Sequence, residues 1–175
     1  MKTSSVYGSS PPSGTTWGSL ADAPVTRVAP ADGELPYTEG VFIGYRAWEK
    51  EGRTPAYPFG HGLGYTDWAY ESVEVAGTTV TVRLRNTGTR SGREVVQVYL
   101  APSAHDTGRP ARWLAGFAGA SAAPGETAEV TVDLPRRAFE TWDDTAHGWC
   151  FVKGSYEIQV GRSIADRRIT ATVNV

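Results

Sequence analysis

The sequence has a single cysteine, Cys150, so no internal disulfide can form and cysteine usage carries no information about redox compartment. No apolar run approaches the length of a membrane span or of a signal-peptide core. The chain therefore reads as soluble and without an export signal, which leaves both cytoplasmic and secreted locations open. There is no block of like charge: 17 basic residues face 19 acidic ones, for a net charge of −2. Nothing in that balance points to a nucleic-acid or membrane partner. Internal repeats and amphipathic helices longer than a turn or two are also missing. What the sequence does have is apolar material for a sizeable core, at 40% hydrophobic and 11% aromatic over 175 residues.

Residues 1–14 are rich in Ser, Gly and Pro and read as a flexible leader, native or left by cloning. From Thr15 to Leu35, Pro24 and Pro30 interrupt any helix, and extended chain is expected. Glu39 to Trp48 places Val41, Ile43 and Tyr45 on one side and Phe42 on the other, which predicts a short buried strand. The stretch Pro55–Tyr70 then mixes aromatics with glycines and prolines. Large apolar rings beside sharply turning backbone suit either a rigid plug that docks on another surface or a loop packed on its own core.

From Glu71 onward the period is two. Val73 and Val75 alternate with Glu74, and Val80, Val82 and Leu84 with Thr79, Thr81 and Arg83. Asn86 to Arg93 is a turn. Glu94 to Leu100 is apolar on both sides and suits a central strand. Trp113–Phe117 is a further short strand, Ala123–Glu126 a turn, and Ala128, Val130, Val132 and Leu134 alternate again. Pro135 opens a single helical turn. Trp149–Val152 and Tyr156–Val160 read as a hairpin across Lys153 and Gly154, and Ile169–Val175 as the last strand. About seven short antiparallel strands with frequent turns are the pattern of an all-β sandwich.

Chemistry finds little purchase. Glycoside or ester hydrolysis by carboxylates needs two of them converging on a cleft. Glu74, Glu129, Asp133 and Glu157 sit instead on the solvent side of alternating strands. No Ser has a strand–turn–helix elbow, and Cys150 between Trp149 and Phe151 reads as buried and inert. Asp143, Asp144 and His147 could ligate a metal, but a turn in which an Asp bonds its own backbone is the simpler reading. His61 between Gly60 and Gly62 suits a tight turn, His105 shows no partner, and Trp113 and Trp142 suit packing or a sugar-stacking platform.

Tyr37–Arg46 and Tyr57–Thr66 together resemble the C-terminal part of family 3 glycoside hydrolases, the β-glucosidase group. Asn86–Gly88, Gly92–Tyr99, Leu114–Phe117, Pro124–Glu126, Phe139, Trp142–Asp143, Gly148–Trp149, Gly154 and Val160–Gly161 follow in the order of the fibronectin type III-like module that ends many of those enzymes. The resemblance runs from about Thr15 to the end, with Gly64 where the family usually has Ser. In that family the nucleophilic Asp comes from a (β/α)₈ barrel and the acid/base Glu usually from an α/β domain. The resemblance covers neither, so it implies no catalytic residue, cofactor or metal ligand here.

It does imply an immunoglobulin-like sandwich over residues 71–175 and a linker arm over residues 15–70 that packs on the α/β domain. Glu39, Tyr45, Arg46, Phe59, His61 and Tyr65 are the residues it assigns to interdomain packing. The implied role is a non-catalytic brace whose partners are the catalytic domains of a parent enzyme, with self-association through the arm where those domains are lacking. Two other readings stay open at this point. One is an autonomous carbohydrate-binding or adhesive sandwich using Trp113, Trp142 or the loop Pro102–Pro110. The other is a small metal-dependent enzyme at Asp143, Asp144 and His147.

Overall fold

The computed structural model describes residues 33–34, 40–103 and 108–175. The expected leader, most of the expected extended segment, Glu39 and His105 lie outside the described residues. The chain divides between Phe59 and Gly60 into two compact units.

The first unit holds a helix where a strand is expected. Val41–Ile43 forms no strand, and α1 spans Tyr45–Lys50. Gly40 and Gly44 both take φ of 56°, a left-handed conformation that breaks an extended run and costs glycine nothing. Gly44 then caps α1, its carbonyl accepting from the backbone N–H groups of Ala47 and Trp48. Trp48 is buried, Lys50 Nζ lies 3.8 Å from the Phe42 ring centroid, and Tyr45 stacks on Phe59 at 4.4 Å.

The second unit is a sandwich. β1 (Trp68–Ala76), β2 (Thr79–Asn86) and β5 (Thr127–Asp133) form a three-stranded antiparallel sheet in the order β1-β2-β5. β3 (Gly92–Pro102), β4 (Trp113–Ala122), β8 (Ser155–Gly161) and β9 (Arg167–Asn174) form the other, in the order β4-β3-β8-β9. Of the strands expected from alternation, all but Trp149–Val152 belong to these two sheets, and β3 is central as its two-sided apolar pattern requires.

The core between the sheets follows the period-two parity. β2 contributes Val80, Val82 and Leu84, and β5 contributes Val130 and Val132. Facing them are Val96, Val98 and Leu100 of β3 and Tyr156, Ile158 and Val160 of β8. Each such side chain, fully buried, contributes roughly 1.5–3 kcal/mol relative to leaving it in water. Trp113 is buried as packing, its indole N–H donating to the Ala138 carbonyl at 2.9 Å.

One pairing differs from expectation. β7 (Gly148–Phe151) does not form a hairpin with β8; it pairs with β6 (Glu140–Asp143) in a separate two-stranded ribbon. Gly154 instead exchanges backbone hydrogen bonds with Val175, which commits the chain after Lys153 to β9. The expected single helical turn after Pro135 is a 3₁₀ turn, Arg136–Phe139, against which the ribbon packs.

A buried charged group lies on β3. Glu94 shares the parity of Val96 and Val98, and its carboxylate sits 2.9 Å from Arg162 Nε. Asp166 and Arg168, paired at 2.8 Å, and Tyr70 of β1 complete its electrostatic surroundings. Burial pushes the Glu94 carboxyl above its ordinary value, with Arg162 opposing, and burial together with Glu94 raises the Tyr70 phenol. The hydrogen bond from Arg168 holds Asp166 below its ordinary value.

Because Glu94 holds its proton more tightly when folded, folding takes up a proton between the ordinary and the raised value. Stability therefore falls as pH rises through that window. Asp166 acts in the opposite sense at more acidic pH, where its contribution is lost as pH falls. We expect Glu94→Gln to abolish the decline above the ordinary glutamate range. Urea midpoints across a pH series check this, and an unchanged decline in the variant contradicts it.

Candidate interdomain docking face

The segment between Gly60 and Trp68 is tied to the sandwich at both ends. At its start, Gln97 of β3 donates through Nε2 to the carbonyls of Gly60 (3.0 Å) and Arg162 (2.5 Å). Tyr99 Oη donates to Gln97 Oε1 at 2.6 Å, so the Gln97 amide is held in one orientation. Gly60 has φ of 79°, and a Cβ there would fall 2.0 Å from Gln97 Oε1. Only glycine allows this close approach.

At its end, Thr66 Oγ1 donates to Oδ1 of the fully buried Asn86 at 2.6 Å. Asn86 Oδ1 also accepts from the Gly88 backbone N–H, and Nδ2 donates to the carbonyls of Arg90 and Ala122. One side chain thus joins the segment before β1, the turn after β2 and the end of β4.

Between these anchors the apolar side chains face water. Leu63 is 94% exposed and Tyr65 90%; His61 is exposed as well. Phe117 is the β4 partner of Gln97 and Val95 precedes Gln97 by two residues, so both share the outer face of the four-stranded sheet with it. Phe117 is 67% exposed and Val95 41%. Exposed apolar groups thus stand both on the anchored segment and on the sheet face to which Gly60 is anchored, and large exposed apolar groups of this kind suit an interaction surface.

Of the residues assigned to packing, Tyr45, Arg46 and Phe59 come together in the first unit. Tyr45 stacks on Phe59, and the Arg46 guanidinium lies 5.7 Å from the Tyr45 ring centroid. Val41, Ile43, Tyr57 and Phe59 there are all exposed. His61 and Tyr65 lie on the anchored segment of the second unit. Leu63 falls within the Phe59–Tyr65 loop that the resemblance gives to packing, whereas Val95 and Phe117 went unassigned from sequence. Parity does put Phe117 and Val95 on the sheet's outer face, but nothing local says that this part of the face lacks cover.

Other candidates resolve more simply. Asp143 Oδ1 accepts from the backbone N–H groups of Thr145 and Ala146, so the cluster around His147 is a hydrogen-bonded turn. No group of three metal-binding side chains occurs among the described residues. Glu74, Glu129 and Asp133 are exposed on the three-stranded sheet, whereas Glu157, half-buried, lies on the other sheet and accepts from Gln159. Cys150 is half-buried rather than buried.

Residues 94–164 match the fibronectin type III-like domain family. The chain is 43% identical over 133 residues to the probable β-glucosidase K of Emericella nidulans, covering 75% of this chain and 16% of that protein. It is 40% identical over 149 residues to the exo-α-(1→6)-L-arabinopyranosidase of Bifidobacterium longum, covering 82% and 19%. Among solved structures, DesR, a β-glucosidase from Streptomyces venezuelae in complex with D-glucose, superposes with a TM-score of 0.80. The identity is 40%, with 89% of this chain and 21% of that one covered. A Bifidobacterium adolescentis GH3 β-glucosidase gives 0.77 at 36% identity, covering 89% and 23%.

The sandwich is a fibronectin type III-like domain, homologous to the C-terminal part of family 3 β-glucosidases. The chain spans between 16% and 24% of the length of the curated relatives. In those relatives the region is one part of a larger protein.

Proposed function

We propose that this chain is the non-catalytic C-terminal accessory module of a β-glucosidase-type family 3 glycoside hydrolase and that it braces the catalytic domains. The observation that carries the reading is that Leu63 and Tyr65 stand exposed on a segment anchored at Gln97 and Asn86, with Val95 and Phe117 exposed on the sheet face that Gln97 shares. Anchoring and exposure together suit a docking surface. The loop's backbone order is already established within the module, so little conformational entropy remains to be lost on docking. On this reading Tyr45, Arg46, Phe59, His61 and Tyr65 pack against the parent's α/β domain, and Glu39 belongs to the same set. The sugar chosen by the parent is a property of other domains, and the relatives' names already include two kinds of glycosidase.

The proposal requires that the chain alone turn over no aryl β-glucoside. The oxocarbenium-like transition state needs a nucleophile or base and an acid set on either side of the bond. The acidic residues of the two sheets, dispersed as they are, offer no such pair. A chromogenic assay checks this. Turnover that is lost on mutating one of the chain's own carboxylates would contradict it.

A further inference from the structure

The β6–β7 ribbon carries a second exposed aromatic feature that docking does not use. Trp142 and Trp149 are direct partners across the ribbon and so stand on one face. Their ring centroids are 5.6 Å apart at 74°, edge to face, and they remain 48% and 51% exposed. The pair is not loose. The Arg137 guanidinium lies 4.0 Å from the Trp149 ring centroid, and Arg136 stacks on Phe151 at 4.6 Å. Both arginines pair with the Glu140 carboxylate, at 3.3 and 2.8 Å, and that side chain is largely buried. Phe151 in turn packs on Phe139 in the core, 6.2 Å between centroids. A continuous ladder of rings and guanidinium groups thus runs from the core out to the two indoles.

Such a ladder fixes flat, electron-rich ring surfaces in water, where the faces suit polarised C–H groups. Hydrogen-bonding groups stand close by. Arg137 offers donors, and Asp144 and His147 are exposed in the turn that closes the ribbon. Arg136 and Arg137 share the Glu140 carboxylate, and Asp143 and Asp144 at the ribbon's end add negative charge, so the site favours a neutral ligand over an anion. A stripe two side chains wide falls far short of the roughly 800 Å² per partner that a stable protein interface buries. It matches one or two sugar rings, whose C–H faces stack on indoles while their hydroxyls bond the polar rim.

We propose that Trp142 and Trp149 form a carbohydrate-binding platform that stacks the pyranose rings of a neutral β-linked glucan. The choice of glucan rests on the accessory-module reading; the stacking rests on the ribbon itself. Titrating the full 175-residue chain with cellohexaose and with laminarihexaose, followed by indole N–H resonances and tryptophan fluorescence, tests it.

The expected result is saturable binding of at least one oligosaccharide. It should shift the Trp142 and Trp149 indole signals and leave that of buried Trp113 in place. Trp142→Ala and Trp149→Ala should each weaken binding tenfold or more, Trp142→Phe less, and Phe117→Ser not at all. The β3 and β8 backbone resonances report whether each variant keeps its fold. Absence of saturable shifts with both sugars overturns the proposal, as does undiminished binding in a folded variant lacking both indoles. A module that binds sugar here but fails to brace a catalytic domain would sink the accessory reading alone.

Discussion

Asn86→Ala should lower the unfolding free energy by about 4 kcal/mol, because it leaves several buried polar groups without partners at about 1–3 kcal/mol each. In the folded chain the Asn86 amide is fully used. Oδ1 accepts from Thr66 Oγ1 and the Gly88 N–H, and Nδ2 donates to the carbonyls of Arg90 and Ala122. Its backbone is committed as well, donating to the Glu126 carbonyl and accepting from the Gly125 N–H. Water entering the small space left behind would satisfy part of the deficit, which is why the full sum is not expected. Thr87→Ala, at the exposed neighbouring position, should change stability by less than about 0.5 kcal/mol. Urea unfolding checks both. Equal midpoints for the two variants would mean that the buried amide does not hold the turns together.

Val82→Asp should be at least as damaging. Val82 is fully buried at the centre of the three-stranded sheet, opposite Val73 on one side and Val130 on the other. Nothing beside it can pair with a carboxylate, so the group must either ionise without water or hold a proton up to an unusually high pH. The cost is several kcal/mol, enough to unfold a marginal domain near neutrality. Thr131→Asp, exposed on the neighbouring strand, should cost no more than about 0.5 kcal/mol. Circular dichroism in urea separates the two, and partial recovery of Val82→Asp at acidic pH would follow from its neutralisation. Comparable stability of the two variants would contradict the inward parity of β2.

These two residues also show how differently the sequence speaks at different places. Val82 is legible because alternation is a local signal: with one face buried, a shift of one residue would turn the whole set outward. Asn86 is legible as part of a turn and of the Asn86–Gly88 resemblance, but not as a buried hub. Its worth lies in contacts with Thr66 and Ala122, 20 and 36 positions away, which no local pattern encodes.

The segment before α1 misleads for a related reason. Val41, Phe42 and Ile43 have strand-like side chains, but the left-handed glycines on either side decide the backbone. Trp149–Phe151 was readable as a strand but not as the partner of Glu140–Asp143, since several strands of similar pattern compete for it. Within the docking face, His61 and Tyr65 stood out by motif, whereas Phe117 and Val95 required knowing which part of a sheet goes uncovered.

The central claim, that the exposed face binds the rest of a family 3 enzyme, is tested most directly in a hybrid. This chain would replace the matching 21% of the Streptomyces venezuelae β-glucosidase, and glucosidase activity and thermal unfolding would be followed together. The account predicts an active hybrid that melts in one cooperative transition. It also predicts that Leu63→Asp, Tyr65→Asp and Phe117→Asp combined split that transition and lower activity, while the isolated module carrying them melts as before. A hybrid whose activity and melting are indifferent to those three changes would contradict it.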